Sequence, residues 1–205
     1  MKDLWNWENC KEKIRSLRGR LGFPNTSILK FLGYSLHLED GKIYDNIRKT
    51  FFPPDSPKCR NLPNIYHILS IYAKANTTRE TSKLVTSKQL SGGKYCYVAV
   101  ERAKLSIQKT FGSKPDMLWK AAKLLGGFKI KFIYGDCSVK IYPLPLIPII
   151  IILTGEDTEF PASVELFFDE SISNYLDLEQ AGILTEITTE RLRDACEALE
   201  KRLVL

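Results

Sequence analysis

Histidine is nearly missing: His37 and His67 are the only two in 205 residues. A mechanism built on a histidine base therefore has two candidates, one in a predicted strand and one on the polar side of a predicted helix, and a structural or solvated role fits both. The five cysteines, at 10, 59, 96, 137 and 196, include no CxxC pair, so neither a zinc ribbon nor a local iron–sulfur motif is written here. HExxH, GxSxG, a Walker loop and GxGxxG are also missing, which removes the motif-defined hydrolases and nucleotide folds, diverged ones excepted. The longest apolar run, Leu144–Leu153, has ten residues, against about 20 for a membrane-spanning helix. An odd cysteine count without an apolar signal segment points to a reducing cytoplasm.

What is present is a conventional globular composition, 44% hydrophobic and 26% charged, which supports one domain over 1–205 with an ordinary core. Charge is unevenly placed. Residues 1–60 carry 12 basic and 7 acidic groups, 61–154 carry 14 and 4, and 155–205 carry 4 and 13, for nets of +5, +10 and −9. Either a nucleic-acid surface has an acidic counterweight, or two parts of one molecule pack with complementary fields. The lysines between 74 and 131 lie at helical intervals without interleaved base-stacking aromatics, so no specific nucleic-acid partner is expected.

Periodicity predicts an α+β fold: a helical N-terminal part, an antiparallel β-meander in residues 126–169 and a C-terminal helix. Trp7, Cys10, Ile14, Leu17 and Leu21 mark a helix from Asp3 to about Leu21. Phe31–Glu39, Asp40-Gly41 and Lys42–Asp45 read as a hairpin with a two-residue type I′ turn. Prolines 53, 54, 57 and 63 make a loop, and Ile65, Ile68, Leu69 and Tyr72 one face of the next helix. In 61–125 two further helices follow, closed by Gly112 and by Gly126-Gly127, the second opened by a capping box at Ser113–Asp116. Phe128, Ile130 and Phe132 start the strands. The isoleucine run at 147 and 149–152 belongs at the centre of the sheet with both faces covered. Region 170–205 closes helically from about Asp177.

Chemistry has few candidates. Gly92, Gly93 and Lys94 ahead of a helix are able to present N–H groups and an ammonium to an anion, or to form a plain turn. Glu156, Asp157, Glu159 and Asp169 cluster around one turn and the strand it feeds; they read either as a hard-cation or acid/base site or as solvated turn residues. The run Tyr142–Pro148 has three prolines that donate nothing to a ladder, so it is an edge, a bulge or a crossing. It sets either a rigid corner or an apolar groove with Tyr142, Phe160 and Phe168 near its walls and the acids at its mouth. Cys96 and Cys137, beside glycine turns, read as the more exposed thiols. No metal ligands are assigned and no cofactor is named.

Taken in order, Ser91-Gly92-Gly93-Lys94-Tyr95, Leu125-Gly126-Gly127, Tyr142-Pro-Leu-Pro-Leu-Ile-Pro148, Gly155-Glu-Asp-Thr-Glu-Phe-Pro-Ala162 and Leu166-Phe-Phe-Asp169 resemble the family catalogued as domain of unknown function 3786, over about Phe31 to Leu192. The resemblance implies an archaeal or anaerobic bacterial setting, where some members are joined to an iron–sulfur domain of the corrinoid-protein type. This chain lacks that four-cysteine domain, so no cluster ligands carry over. The resulting expectation is a cytoplasmic binding or accessory protein linked to anaerobic corrinoid or iron–sulfur metabolism, with a protein partner and no membrane association. The alternatives are a metal-dependent enzyme using the acids from Glu156 to Asp169, and a non-specific nucleic-acid binder using basic helices.

Overall fold

The computed structural model describes residues 4–90 and 94–203. Asn6 caps α1 (Trp7–Arg15) by accepting from the Asn9 N–H, and Trp7, Cys10 and Ile14 point inward. The helix stops well before Leu21. Gly19 and Leu21 take positive φ (69° and 49°), and the Gly19 N–H turns to the Pro24 carbonyl. Leu17 and Leu21 still reach the core, from a turn instead of a helix.

The expected single hairpin is a four-stranded antiparallel meander, β1 (Ile28–Phe31), β2 (Tyr34–His37), β3 (Ile43–Asp45) and β4 (Thr50–Phe52), in that spatial order. The two-residue turn with both φ values positive is Leu32-Gly33 (45° and 74°), not Asp40-Gly41. Between β2 and β3 the loop spans Leu38–Gly41 and only its glycine is left-handed. A leucine in that conformation costs roughly 1–2 kcal/mol, so something must hold it there.

After the proline loop, α2 (Leu62–Tyr72) begins with Pro63 in its first turn and buries Ile65, Ile68, Leu69 and Tyr72 as the periodicity predicts. The polar stretch that follows contains a two-residue edge strand, β5 (Leu84–Val85), which pairs with β9 (Ser163–Asp169) and has no periodic signal of its own. Helices α3 (Lys94–Phe111) and α4 (Pro115–Leu124) fall where expected. The capping box does not form: Lys114 is the N-cap, without a side-chain bond, because Pro115 fixes the helix entry.

The main sheet has the order β5-β9-β8-β7-β6, all antiparallel, with β6 at Phe128–Lys129, β7 at Cys137–Leu144 and β8 at Ile147–Thr154. The isoleucine strand β8 is central and buried from Ile147 to Leu153. Pro145-Leu146 makes the β7–β8 turn, and the register shifts between Ile141 and Leu144, which is how Pro143 and Pro148 fit beside a ladder. The predicted first strand is short. Phe128-Lys129 pair with β7, and residues 130–136 fold across the sheet instead of extending it.

On one face Val139, Ile141, Ile149, Ile151, Leu153, Val164, Leu166 and Phe168 join the principal core, with α3 against β9 and α4 against β7. On the other face the 130–136 loop covers Ile152 and Phe167: Phe132 stacks on Phe167, and Gly135 approaches Ile152 too closely to admit a Cβ. The closing helix α5 (Leu178–Leu203) packs along both α3 and α4. It also carries much of the acidic charge toward basic neighbours: Lys114 pairs with Glu200 and Arg48 with Asp194 (2.7 Å). All five cysteines are free and buried, Cys96 and Cys137 included, contrary to their expected exposure. Each sits on a core-facing position, and burial pushes the Cys96 thiol up to about 11. Among the described residues no helix is long and apolar enough to cross a membrane.

Candidate functional site

The largest fully buried side chain is a charged one. Arg191, in the middle of α5, is 1% exposed and reaches into the small sheet. Its Nη1 and Nη2 donate to both carboxylate oxygens of Asp45 (2.8 and 2.7 Å), and Nη1 also donates to Asp194 Oδ2 (2.9 Å). Its Nε donates to the carbonyl of Leu32 (3.0 Å), and its guanidinium lies 3.9 Å from the centroid of the Tyr34 ring. This explains the strained turn: the left-handed Leu32 turns its carbonyl to Arg191, and a Cβ on Gly33 would crowd both Arg191 and Ile47.

Asp45 is equally committed. It ends β3, and its Oδ1 also accepts the N–H groups of Ile47 (2.9 Å) and Arg48 (3.1 Å). Burial alone would raise its carboxyl; the Arg191 bonds and charge, with the two N–H donors, outweigh burial and hold it below the usual carboxylate range. The pair therefore fastens α5 to the small sheet and sets the position of the β1–β2 hairpin.

Two concavities border Tyr34. The larger, about 450 Å³, lies between the β1–β2 hairpin, the end of α4 and the β7–β8 turn. Phe31, Leu125 and Pro145 give it apolar walls, while Lys30, Ser35, Asn46 and Tyr142 bring polar groups. Gly126, left-handed at 81°, adds no side chain to the space, and nothing lies within 4 Å of where its Cβ would be. Asn46 donates its amide to the Gly33 carbonyl and to Ser35 Oγ, both at 3.0 Å, so this wall is preformed. The smaller concavity, about 170 Å³, lies on the other side, between the 58–61 loop and α5.

Of the residues singled out in the sequence, Tyr142 lines the larger cleft. Its hydroxyl donates to Glu80 Oε2 (2.8 Å), Glu80 pairs with Lys140, and its ring stacks on Phe128. Phe168 is buried on the opposite, core-facing side, and Phe160 is exposed on the 155–162 loop, so the three aromatics do not share a groove. The acids separate as well. Glu156, Asp157 and Glu159 precede β9 and Asp169 ends it. Among the described residues no three His, Cys, Asp or Glu side chains gather to hold a metal ion. Gly92 and Gly93 lie outside the described residues, as does the Lys94 side chain.

Asp157 builds its own turn, accepting the N–H groups of Glu159 (2.8 Å) and Phe160 (2.7 Å). Asp169 has a larger task. Its Oδ1 accepts the N–H of Ser171 (2.9 Å), at the start of a short 3₁₀ helix, and both the N–H (3.0 Å) and hydroxyl (2.9 Å) of Thr81. Burial opposes the charge, but the bonds from Ser171 and Thr81 prevail and hold the carboxyl below its ordinary range. Asp169→Asn is expected to lose about 1–3 kcal/mol, the usual worth of hydrogen bonds to a charged group. An amide nitrogen would then occupy the buried Oδ2 position, which has no partner. Glu156→Gln should leave the melting temperature unchanged, and thermal melts of the two variants side by side check both statements.

A mixed α+β protein with two antiparallel sheets, the smaller one fastened to α5 by a buried arginine, is the class these observations define. The chain belongs to the family described as domain of unknown function (DUF3786), whose model matches residues 29–191. That span includes Asp45, Arg191 and every wall of the larger cleft. Neither a curated protein nor a solved structure matches the chain.

Proposed function

We propose that this is a binding or accessory protein that takes a small amphipathic organic molecule into the cleft between the β1–β2 hairpin and the end of α4. The observation that carries the reading is the preformed cleft itself: about 450 Å³, apolar in its walls, with a lysine, a tyrosine, a serine and an asparagine at its edges. That volume is in the range of small-molecule sites, roughly 300–1,000 Å³. Lys30 favours an anionic end on the ligand, and the Tyr142 ring offers a flat surface for an apolar body.

The anaerobic corrinoid or iron–sulfur setting is part of the proposal, supported by the family resemblance. In that setting the protein acts beside a cofactor-bearing partner, because the cleft suits a small molecule better than a macrocycle with its substituents. The free state of all five cysteines supports a reducing, cytoplasmic compartment.

Anaerobic purification from the native host, followed by native mass spectrometry, absorption spectroscopy and metal analysis, tests the reading. The expected result is a co-purifying organic species on the order of a few hundred daltons, as such a volume admits, lost from the variants Tyr142→Ala and Lys30→Glu. A preparation that carries no small molecule, and whose melting temperature shifts with no organic acid in a screen, would remove the cleft from consideration.

A further inference from the structure

The smaller concavity has a different chemistry, and its charges do not cancel. Its lining includes four cationic side chains, Arg48, Lys58, Arg60 and Arg193, against two acids, Glu190 and Asp194. Asp194 is ion-paired, and Glu190 is hydrogen-bonded to a neutral amide. Asp194 accepts Arg191 through Oδ2 and Arg48 through Oδ1, and Glu190 accepts the Asn61 amide. Lys58, Arg60 and Arg193 form no ion pair among the described residues. A pocket of about 170 Å³ thus has a formal excess of two positive charges with three cations uncommitted.

Tyr34 supplies a second, independent observation. The residue is 5% exposed, its ring is held beneath Arg191, it lines this pocket, and its hydroxyl forms no hydrogen bond among the described residues. The residue is buried while its hydroxyl keeps enough access to meet an acceptor that enters the pocket. Burial pushes the phenol far above its ordinary value, with Cys59, Asp45 and Asp194 adding to the effect against the opposing charge of Arg191. The hydroxyl therefore keeps its proton and is available to donate it to an acceptor that arrives from outside.

We infer that this pocket, between the 58–61 loop and α5, is an oxyanion-binding site sized for a phosphate group. Three uncommitted, solvent-exposed cations and a phenolic donor face only Glu190 and Asp194 as acids, a balance of donors and positive charge that suits a tetrahedral dianion. The formal excess of two charges matches a phosphate dianion, and the volume admits the phosphate but not the bulk of a nucleotide. The site is separate from the larger cleft and stands or falls without it; Tyr34 and its stacked Arg191 lie between the two.

The test is isothermal titration calorimetry with sodium phosphate at constant ionic strength, chloride being the balancing anion, on the full chain. Wild type is expected to bind one phosphate. Arg193→Gln should weaken binding at least tenfold, and Tyr34→Phe, which keeps the ring under Arg191 and removes only the hydroxyl, about threefold or more. Circular dichroism melts establish that both variants are folded. Lys109→Gln, an exposed lysine on α3, is the control and should bind as wild type. Parallel titrations with sulfate and glycerol phosphate separate the sources: free anions without the ester indicate an enclosed inorganic site, and binding of the ester as well indicates a phosphoryl group on a larger molecule. Phosphate binding no stronger than chloride, loss as large in Lys109→Gln as in Arg193→Gln, or full binding in both pocket variants would overturn the assignment.

Discussion

Arg191→Met is expected to lower stability by about 3–5 kcal/mol, because the substitution leaves Asp45 buried and charged without its partner. A typical domain has about 5–15 kcal/mol in total, so the variant should be only marginally folded at 37 °C. Asp45→Asn alone should also be costly, while the double variant should recover a substantial part of the loss, since the two changes act on one interaction. Urea unfolding of the four proteins measures the coupling. A single-variant loss below about 1 kcal/mol, the size of an exposed pair, would mean that Arg191 is not a buried fastener.

The same pair gives the protein an acid limit. Asp45 is held below its ordinary value in the folded state, so its contribution is complete above the unfolded carboxyl pKa of about 3.9 and is lost as the pH falls from there through the folded value. Asp169 acts in the same direction. Wild-type stability should therefore decline steeply below about pH 4, and the Asp45→Asn variant, already weakened, should show a shallower decline over that range.

Ile151→Asp is the second large effect. Ile151 is 1% exposed at the centre of β8, paired with Val139 and Leu166, and faces the principal core. An unpaired charge there costs several kcal/mol, comparable to the whole stability, and insoluble or unfolded protein is the expected outcome. Ile150→Asp should be milder. Its side chain lies on the sheet face away from the principal core, and its cross-strand neighbour Lys140, which pairs with Glu80, is a cation that an aspartate there can share. Expression yield and circular dichroism of the two variants read the difference; equal damage would show that the two faces of β8 are not unlike.

The helices α3, α4 and α5 and the strands β7, β8 and β9 were legible because each carries its own periodicity and its own terminators, such as Gly112, Gly126 and the prolines at 143–148. The small sheet was only half legible. Asp40-Gly41 has the composition of a type I′ turn, whereas the actual one uses Leu32, a residue that no local rule places at positive φ. Leu32 is held there by Arg191, which lies 159 residues away. Arg191 itself was invisible for a related reason: in an acidic C-terminal helix it reads as one more surface charge, and its partner Asp45 is 146 residues distant. One signal was available. Thr185, Thr188 and Thr189 make the first half of α5 polar on the sides that nevertheless become buried, each hydroxyl donating back to a carbonyl four residues earlier. A helix whose polar faces are small and self-satisfied is one that other elements surround.

The 146-residue gap between Asp45 and Arg191 also sets a timetable during synthesis. The aspartate leaves the ribosome first, and at about 5–20 residues per second its counterpart follows roughly 7–30 s later. Throughout that interval the carboxylate has only water and its own loop for company, so the N-terminal meander waits, open on the side that α5 will close. Helix α5 thus completes a sheet translated long before it, and a ribosome-bound chain halted anywhere before residue 191 holds that sheet in an unfastened state.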